Sequence, residues 1–137
     1  MSEIPVDTPV YLIENATNRG TTFEAYANCD FALLTNDKGA RGTPVIFHPE
    51  KGGYTIRSTS ANWDAHSYWQ MHVTGVKLVQ GDVASLFHIH PEDRGFRIGT
   101  SGGGCIYYPA KGGKGWFKVA GGVLPNFQEF AYFRTEK

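Results

Sequence analysis

The segment Val45-Ile46-Phe47-His48-Pro49, followed after a short turn by Gly53-Tyr54-Thr55-Ile56-Arg57, has a second copy later in the chain. That copy is Ser85-Leu86-Phe87-His88-Ile89-His90-Pro91 followed by Gly95-Phe96-Arg97-Ile98-Gly99. Each copy is an apolar strand pattern, a turn containing Pro, an acidic residue and Gly, and a Gly-aromatic-x-Ile segment. The first strand recurs as Pro125-Asn126-Phe127-Gln128-Glu129-Phe130, close to the end of the sequence. Such self-similarity is the first thing to test, because it constrains the whole architecture.

Two sets of aromatic residues mark the period of this repeat. One set is spaced 40 residues apart each time, and it consists of Phe47, Phe87 and Phe127. The other set is spaced 43 and 42 residues apart, and it consists of Tyr11, Tyr54 and Phe96. The isoleucines two residues after the second set, Ile13, Ile56 and Ile98, are expected on the same core-facing side of each strand. The spacing predicts one domain over 1–137 with three repeats, approximately 9–52, 53–94 and 95–137.

Apolar residues alternate or form runs of four to six between Gly, Pro, Asn and Asp, which is typical of short strands. The predicted strands number twelve: 10–15, 21–27, 30–35, 43–48, 53–58, 67–73, 76–80, 85–90, 95–99, 105–108, 115–120 and 126–134. Four strands in each of three repeats can close a six-stranded barrel and cap one end with three hairpins, which removes exposed edges. An irregular β-sandwich is the alternative.

The threefold strand pattern resembles a β-trefoil from about Pro9 to Lys137. The resemblance implies an all-β fold with pseudo-threefold symmetry. It also implies a structural frame whose function is carried by its loops.

The composition argues against some classes of function. Lys and Arg together number 13, as do Asp and Glu, so the net charge is zero and no basic stripe indicates a nucleic-acid partner. Neither a leader sequence nor a membrane-spanning apolar run is recognisable, so a cytoplasmic location without membrane insertion is expected. Cys29 and Cys105 have no metal or redox spacing, and two buried free thiols are favoured over a disulfide.

Motifs for catalysis or metal binding are weak. His88 and His90 lie on one face of a predicted strand, but no further ligand with metal-site spacing accompanies them. Asp64 and His66 lie near Ser60 and Ser67, yet no Gly-x-Ser-x-Gly elbow is present. The sequence therefore predicts no enzyme, no catalytic residues, no metal and no cofactor.

The loop Thr59–His66 is the segment richest in recognition chemistry. A sugar site needs an aromatic platform for the C–H face and a few fixed polar groups for the hydroxyls. Trp63 supplies the platform, and Asn62, Asp64 and His66 supply donors and acceptors. The alternative is that Trp63 folds back over the barrel end and Asp64 caps a turn.

Small β-trefoils of this length are similar to the cytoplasmic ricin-B-like lectins of fungal fruiting bodies. That resemblance implies binding of galactose- or N-acetylgalactosamine-type glycans and glycoproteins, a homodimer and a role in defence. It also implies that Asn126, before the third marker, takes part in sugar binding. The ricin-type Gln-x-Trp signature is missing, since Phe47, Phe87 and Phe127 stand where its tryptophan would be. A β-trefoil protease inhibitor that presents one surface loop is the alternative function.

Overall fold

The computed structural model describes residues 4–111 and 113–137, and its regular structure is almost entirely antiparallel β-sheet. The strands are β1 Tyr11–Glu14, β2 Arg19–Tyr26, β3 Cys29–Leu34, β4 Val45–Glu50, β5 Gly53–Ser58, β6 Tyr68–His72, β7 Gly75–Val79, β8 His88–Glu92, β9 Gly95–Gly99, β10 Cys105–Pro109, β11 Lys118–Ala120, β12 Gln128–Phe130 and β13 Phe133–Glu136. Within residues 4–111 and 113–137, one 3₁₀ turn, Gly81–Val83, interrupts them. In the described part of the chain, no helix has the length and hydropathy needed to cross a membrane.

Six of these strands form a closed ring. Three pairs in the ring are ladders along neighbouring strands: β4 with β5, β8 with β9, and β13 with β1. The other three contacts close the gaps between β1 and β4, β5 and β8, and β9 and β13. Closure of the ring satisfies the backbone groups that would otherwise be exposed at sheet edges.

The remaining strands form hairpins at one end of this barrel. β2 pairs with β3, β6 with β7, and β10 with β11. The hairpins contact one another, since Phe31 of β3 faces Lys77 of β7 and Leu33 of β3 bridges to Trp116. A six-stranded barrel capped by three hairpins is a β-trefoil, so the predicted all-β trefoil fold is confirmed.

The strand register identifies the equivalent positions of the three repeats. One contact occurs three times around the ring, as Val10–Val45, Tyr54–Phe87 and Phe96–Phe133. The third equivalent of Phe87 is therefore Phe133, and the predicted marker Phe127 is wrong. Phe127 is 62% exposed in a turn, whereas Phe133 is 1% exposed. The first equivalent of Phe87 is Val45, two residues before the predicted Phe47.

The first strand is shifted by one residue relative to the prediction. A second threefold set of facing pairs is Leu12–Thr135, Ile56–Phe47 and Ile98–Ile89. Leu12, rather than Ile13, is thus equivalent to Ile56 and Ile98, and Val10 rather than Tyr11 is equivalent to Tyr54. Tyr11 is only half-buried, and the guanidinium of Arg41 lies 4.0 Å from its ring centre.

The predicted twelfth strand, 126–134, is two strands, so the described residues form thirteen strands rather than the predicted twelve. β12 pairs with β10, while β13 pairs with β1 and β9. The chain changes partners at Ala131, whose N–H donates to the carbonyl of Ile106. One continuous strand could not make both sets of contacts, because β10 and β1 lie in different parts of the sheet.

Aromatic rings connect the barrel to its hairpin cap. Trp69, from the second hairpin, lies 6.0 Å from Phe87 and 6.1 Å from Phe117, both measured between ring centres. Phe117 in turn lies 5.8 Å from Phe133. All four side chains are almost completely buried, and their edge-to-face packing adds to the hydrophobic stabilisation.

A buried carboxylate joins the two ends of the chain to the third hairpin. Glu14 is fully buried, and its Oε1 accepts hydrogen bonds from the backbone and hydroxyl of Thr17 and from the hydroxyl of Tyr108. Its Oε2 accepts from the backbone N–H of Tyr132. Burial and the neighbouring Glu14 charge raise the pKa of the Tyr108 phenol, so Tyr108 remains a donor to the carboxylate.

We predict that Phe133→Ala lowers the free energy of unfolding by about 3–5 kcal/mol, because it leaves a cavity where barrel and cap meet. The matched variant Phe127→Ala should cost less than about 1 kcal/mol, since it removes only an exposed ring and the contact of that ring with the Lys111 amine. Urea denaturation of both variants measures this difference. Equal destabilisation by the two substitutions would contradict the register given above.

Candidate functional site

The loop that connects β5 to β6, residues 59–67, is fixed to the first hairpin by a buried carboxylate. Asp30 is 1% exposed, and its Oδ2 accepts from the backbone N–H of Asn62 at 2.7 Å. Its Oδ1 accepts from Nδ2 of the same asparagine at 2.6 Å. Because a buried charge must be compensated by donors, this pair of hydrogen bonds determines where the loop can lie.

Two further contacts shape the loop. The backbone N–H and hydroxyl of Thr59 both donate to the carbonyl of Pro44, each at 3.0 Å. The N–H of His66 donates to the carbonyl of Trp63 at 3.1 Å, which closes a tight turn. Ala65 within this turn has a positive φ of 62°. The turn directs both Trp63 and His66 toward β7.

The tautomer of His66 follows from its partner. Its Nδ1 lies 2.7 Å from the carbonyl oxygen of Asp64. A carbonyl oxygen can only accept, so Nδ1 carries the hydrogen and donates it. In the neutral ring, Nε2 is then left as an acceptor for a ligand hydroxyl.

Trp63 and His66 form one side of a groove of about 260 Å³, which we call the Trp63 groove. The opposite side comes from the first hairpin, from the end of β7 and from the segment after it, and its polar side chains are those of Asn28, Asp30, Lys77 and Gln80. Leu78, Val79 and Val83 add apolar surface. The groove therefore combines an indole face, 37% exposed overall, with an amine, two amides, an imidazole acceptor and the buried carboxylate of Asp30.

The predicted site residues are not all in this groove. Trp63 and His66 line it. The amide nitrogen of Asn62 is bonded to Asp30, so this side chain positions the loop. Asp64 is exposed, and its carboxylate makes no hydrogen bond or ion pair with a described residue. Asn126 is exposed in the turn before β12 and does not line the Trp63 groove.

Sequence reasoning missed the opposite wall of the groove. Asn28 lies at the tip of the first hairpin, and Lys77 and Gln80 lie in and after β7. These residues meet the 59–67 loop only because β3 pairs with β7, with Phe31 facing Lys77. No local motif indicates such a contact, so only the strand order of the barrel could have identified it.

The cysteines and histidines are the side chains that could ligate a transition metal. Both thiols are free, as predicted, but only Cys105 is buried, and Cys29 is half-buried on the wall of the Trp63 groove. Burial raises the pKa of the Cys105 thiol. His90 donates from Nε2 to the carbonyl of Thr100. Among the described residues, no group of three or more His, Cys, Asp and Glu side chains is placed to hold a metal ion.

A second aromatic groove lies where the hairpin tips meet. It has a volume of about 250 Å³ and is lined by Tyr26, Phe31, Trp116 and Lys118. The ring centres of Tyr26 and Trp116 are 6.3 Å apart. Its walls carry fewer polar groups than the Trp63 groove, so it suits an apolar group better than a sugar.

No protein-family profile matches the sequence, and no curated protein sequence matches it. Solved structures do match in three dimensions. The lysenin pore superposes with a TM-score of 0.72 at 11% identity, covering 98% of this chain and 48% of the lysenin chain. The present chain thus spans about half the length of that protein.

Two plant proteins match along nearly their whole length. The bifunctional α-amylase/subtilisin inhibitor of rice, Oryza sativa, has a TM-score of 0.69 at 18% identity, covering 97% of this chain and 92% of its own. The soybean trypsin inhibitor has a TM-score of 0.69 at 12% identity, covering 98% and 94%. At such identities the likeness shows the β-trefoil fold alone, and function must be argued from the site.

We predict that Asn62→Ala lowers the free energy of unfolding by about 1–3 kcal/mol, because buried Asp30 loses a charge-assisted donor. The control Asp64→Ala, two residues away, should change it by less than about 0.5 kcal/mol, since no described contact of its carboxylate is lost. Urea denaturation at neutral pH makes the comparison. If Asn62→Ala proves as mild as Asp64→Ala, then Asp30 does not anchor the loop.

Proposed function

We propose that this chain is a lectin that binds galactose- or N-acetylgalactosamine-type glycans in the Trp63 groove. The observation that carries the proposal is the indole face of Trp63 opposite the polar side chains of Asn28, Lys77 and Gln80. A hexose presents the complementary pattern, with an apolar C–H face on one side and hydroxyls around its edge. The axial 4-hydroxyl of galactose leaves a continuous C–H face free for such stacking.

The polar groups of the groove are suited to reading hydroxyl orientation. The Lys77 amine donates, the His66 Nε2 accepts in the neutral ring, and the Asn28 and Gln80 amides do both. The loop that carries Trp63 is held by Asp30 before any ligand arrives. A pre-formed site avoids part of the entropy cost of binding.

The size and openness of the groove support recognition without chemistry. A volume of about 260 Å³ accommodates a single sugar ring rather than a long oligosaccharide. One ring in a shallow site is expected to bind with a dissociation constant between roughly micromolar and millimolar. A homodimer that presents two grooves would supply avidity without any new contact to the sugar.

Protease inhibition is the second candidate function, and the observation that favours it is the match to the rice and soybean inhibitors over nearly their full lengths. An inhibitor has to present an exposed loop that enters an enzyme cleft. The 59–67 loop is hydrogen-bonded to Asp30 and Pro44, and its residues 59, 60 and 62–65 are exposed, so it meets this requirement as well. We place the lectin first because of the Trp63 groove, and the assays below separate the two functions.

We predict that a glycan array probed with the tagged protein gives binding that free galactose inhibits. Trp63→Ala should weaken that binding roughly tenfold or more, since a lost aromatic platform costs about 1–2 kcal/mol. The melting temperature should stay nearly unchanged, because the indole is partly exposed. Phe127→Ala is the matched control, as it removes a more exposed ring far from the groove in sequence.

Two outcomes would overturn the lectin proposal. One is a silent array together with inhibition of trypsin, subtilisin or papain, which would support the inhibitor. The other is unfolding of Trp63→Ala with Phe127→Ala still folded, which would make Trp63 a structural residue. Equal loss of glycan binding in both variants would also exclude Trp63 as the platform.

A further inference from the structure

A third groove, of about 290 Å³, lies on the outer face of β4, β5 and β6. Its floor is built from side chains that point away from the core, because they alternate with buried Val45, Phe47 and Ile56. The strand register places Arg57 between Ile46 on one side and Tyr68 on the other. Two residues further along the same ladder, His48 faces Thr55.

Arg57 differs from the other arginines of the chain. The others are held by a backbone carbonyl, a carboxylate, an asparagine or an aromatic ring: Arg19 by Thr35, Arg41 by Glu136 and Lys137, Arg94 by Tyr132, Arg97 by Glu92, and Arg134 by Asn15, Asn18 and Glu136. Within residues 4–111 and 113–137, no such partner engages the Arg57 guanidinium. It is nevertheless half-buried. A half-buried guanidinium with free donors is suited to an incoming anion.

The acidic side chain of the same groove is already engaged. Asp7 Oδ1 lies 2.6 Å from Nδ1 of His48. Since a carboxylate only accepts, His48 donates from Nδ1 and its Nε2 is left free. The backbone of Asp7 is also fixed, because its N–H donates to the carbonyl of Phe47. The negative charge of Asp7 thus opposes anion binding at the His48 end of the groove, but Asp7 does not bond to Arg57.

Tyr68 lines this groove and contacts a segment that contributes to the Trp63 groove. Its side chain lines the Arg57 groove, while its ring packs against Gly81 so closely that a Cβ there would lie 3.1 Å from Cε1. Gly81 lies between Gln80 and Val83, which both line the Trp63 groove. In addition, the 59–67 loop leaves β5 just after Arg57 and enters β6 at Tyr68. Tyr68 therefore links the Arg57 groove to two segments, 59–67 and 80–83, that supply residues of the Trp63 groove.

We propose that the glycan bound by this chain carries an anionic substituent, a carboxylate or a sulfate ester, which binds at Arg57. The inference rests on the proposed lectin function and specifies its ligand class. The neutral ring lies on Trp63, and the anionic group accepts from the Arg57 guanidinium and the Tyr68 hydroxyl. One guanidinium in a chain of zero net charge reads one anionic group rather than a polyanion.

The experiment compares three sugars, lactose, sulfated lactose and sialyllactose, by calorimetry at low and high salt. Wild-type protein should bind at least one of the two acidic sugars roughly tenfold more tightly than lactose, because one charge-assisted hydrogen bond contributes about that factor in affinity. High salt should reduce this preference, since the site is open to solvent. Sulfated lactose and sialyllactose together distinguish a sulfate from a carboxylate.

Arg57→Gln should abolish the preference for acidic sugars and leave lactose affinity unchanged. Asp7→Asn should increase the preference, because it removes the opposing charge and keeps an acceptor for His48. The two variants act in opposite directions, so Asp7→Asn remains informative if Arg57→Gln does not fold. Trp63→Ala should weaken the binding of all three sugars.

The failures of the two proposals are distinguishable. Equal affinity of wild-type protein for lactose and both acidic sugars overturns the anionic site and leaves the lectin intact. A preference that persists in Arg57→Gln also overturns it. Failure of all three sugars to bind overturns the lectin proposal and this inference together.

Discussion

The antiparallel pairing of β1 with β13 is the constraint on which the closed barrel depends. Four residue pairs, from Tyr11–Glu136 to Glu14–Phe133, join the two ends of the chain and close the ring. An open sheet would leave both strands as unpaired edges. The strands β2, β3, β7, β6 and β5 follow one another along the same sheet, and the pairing of β3 with β7 places the first hairpin against the second. The Trp63 groove is built within this run of strands, with the first hairpin and β7 on one side and the 59–67 loop on the other.

Within that frame, a single buried carboxylate converts the fold into a site. Asp30 belongs to β3, and it accepts two hydrogen bonds from Asn62, 32 residues later, which hold the 59–67 loop. Because Asp30 lies in the first hairpin, beside the donors of Asn62, an acidic residue is tolerated at this nearly inaccessible position. The carboxylate compensates the loop's donors, and the loop in turn shields the charge. The proposed recognition site thus lies where a structural requirement already orders the backbone.

The sequence predicted the β-trefoil architecture better than it predicted which residues are equivalent in the three repeats. β5 and β9 were predicted with their observed bounds, and the barrel and hairpins follow from the threefold period. The third marker failed because Phe127 and Phe133 both lie in aromatic alternating segments, and spacing alone favoured the wrong one. Phe127 has a positive φ of 65° in a turn, which no local pattern revealed. Trp63 and His66 were identified because aromatic and polar residues in a loop are locally visible. Lys77 and Gln80 were missed because only a contact between hairpins brings them into the site.

The central claim is that a sugar occupies the groove beside Trp63, and differential alkylation tests it most directly. Cys29 is half-buried on the wall of that groove, whereas Cys105 is buried and its thiol pKa is raised, so it serves as an internal control. Maleimide labelling followed by mass spectrometry should show Cys29 reacting first, and saturating galactose should slow that reaction while Cys105 stays unreactive. Binding of galactose with no change in the labelling rate of Cys29 would place the sugar elsewhere and contradict the account.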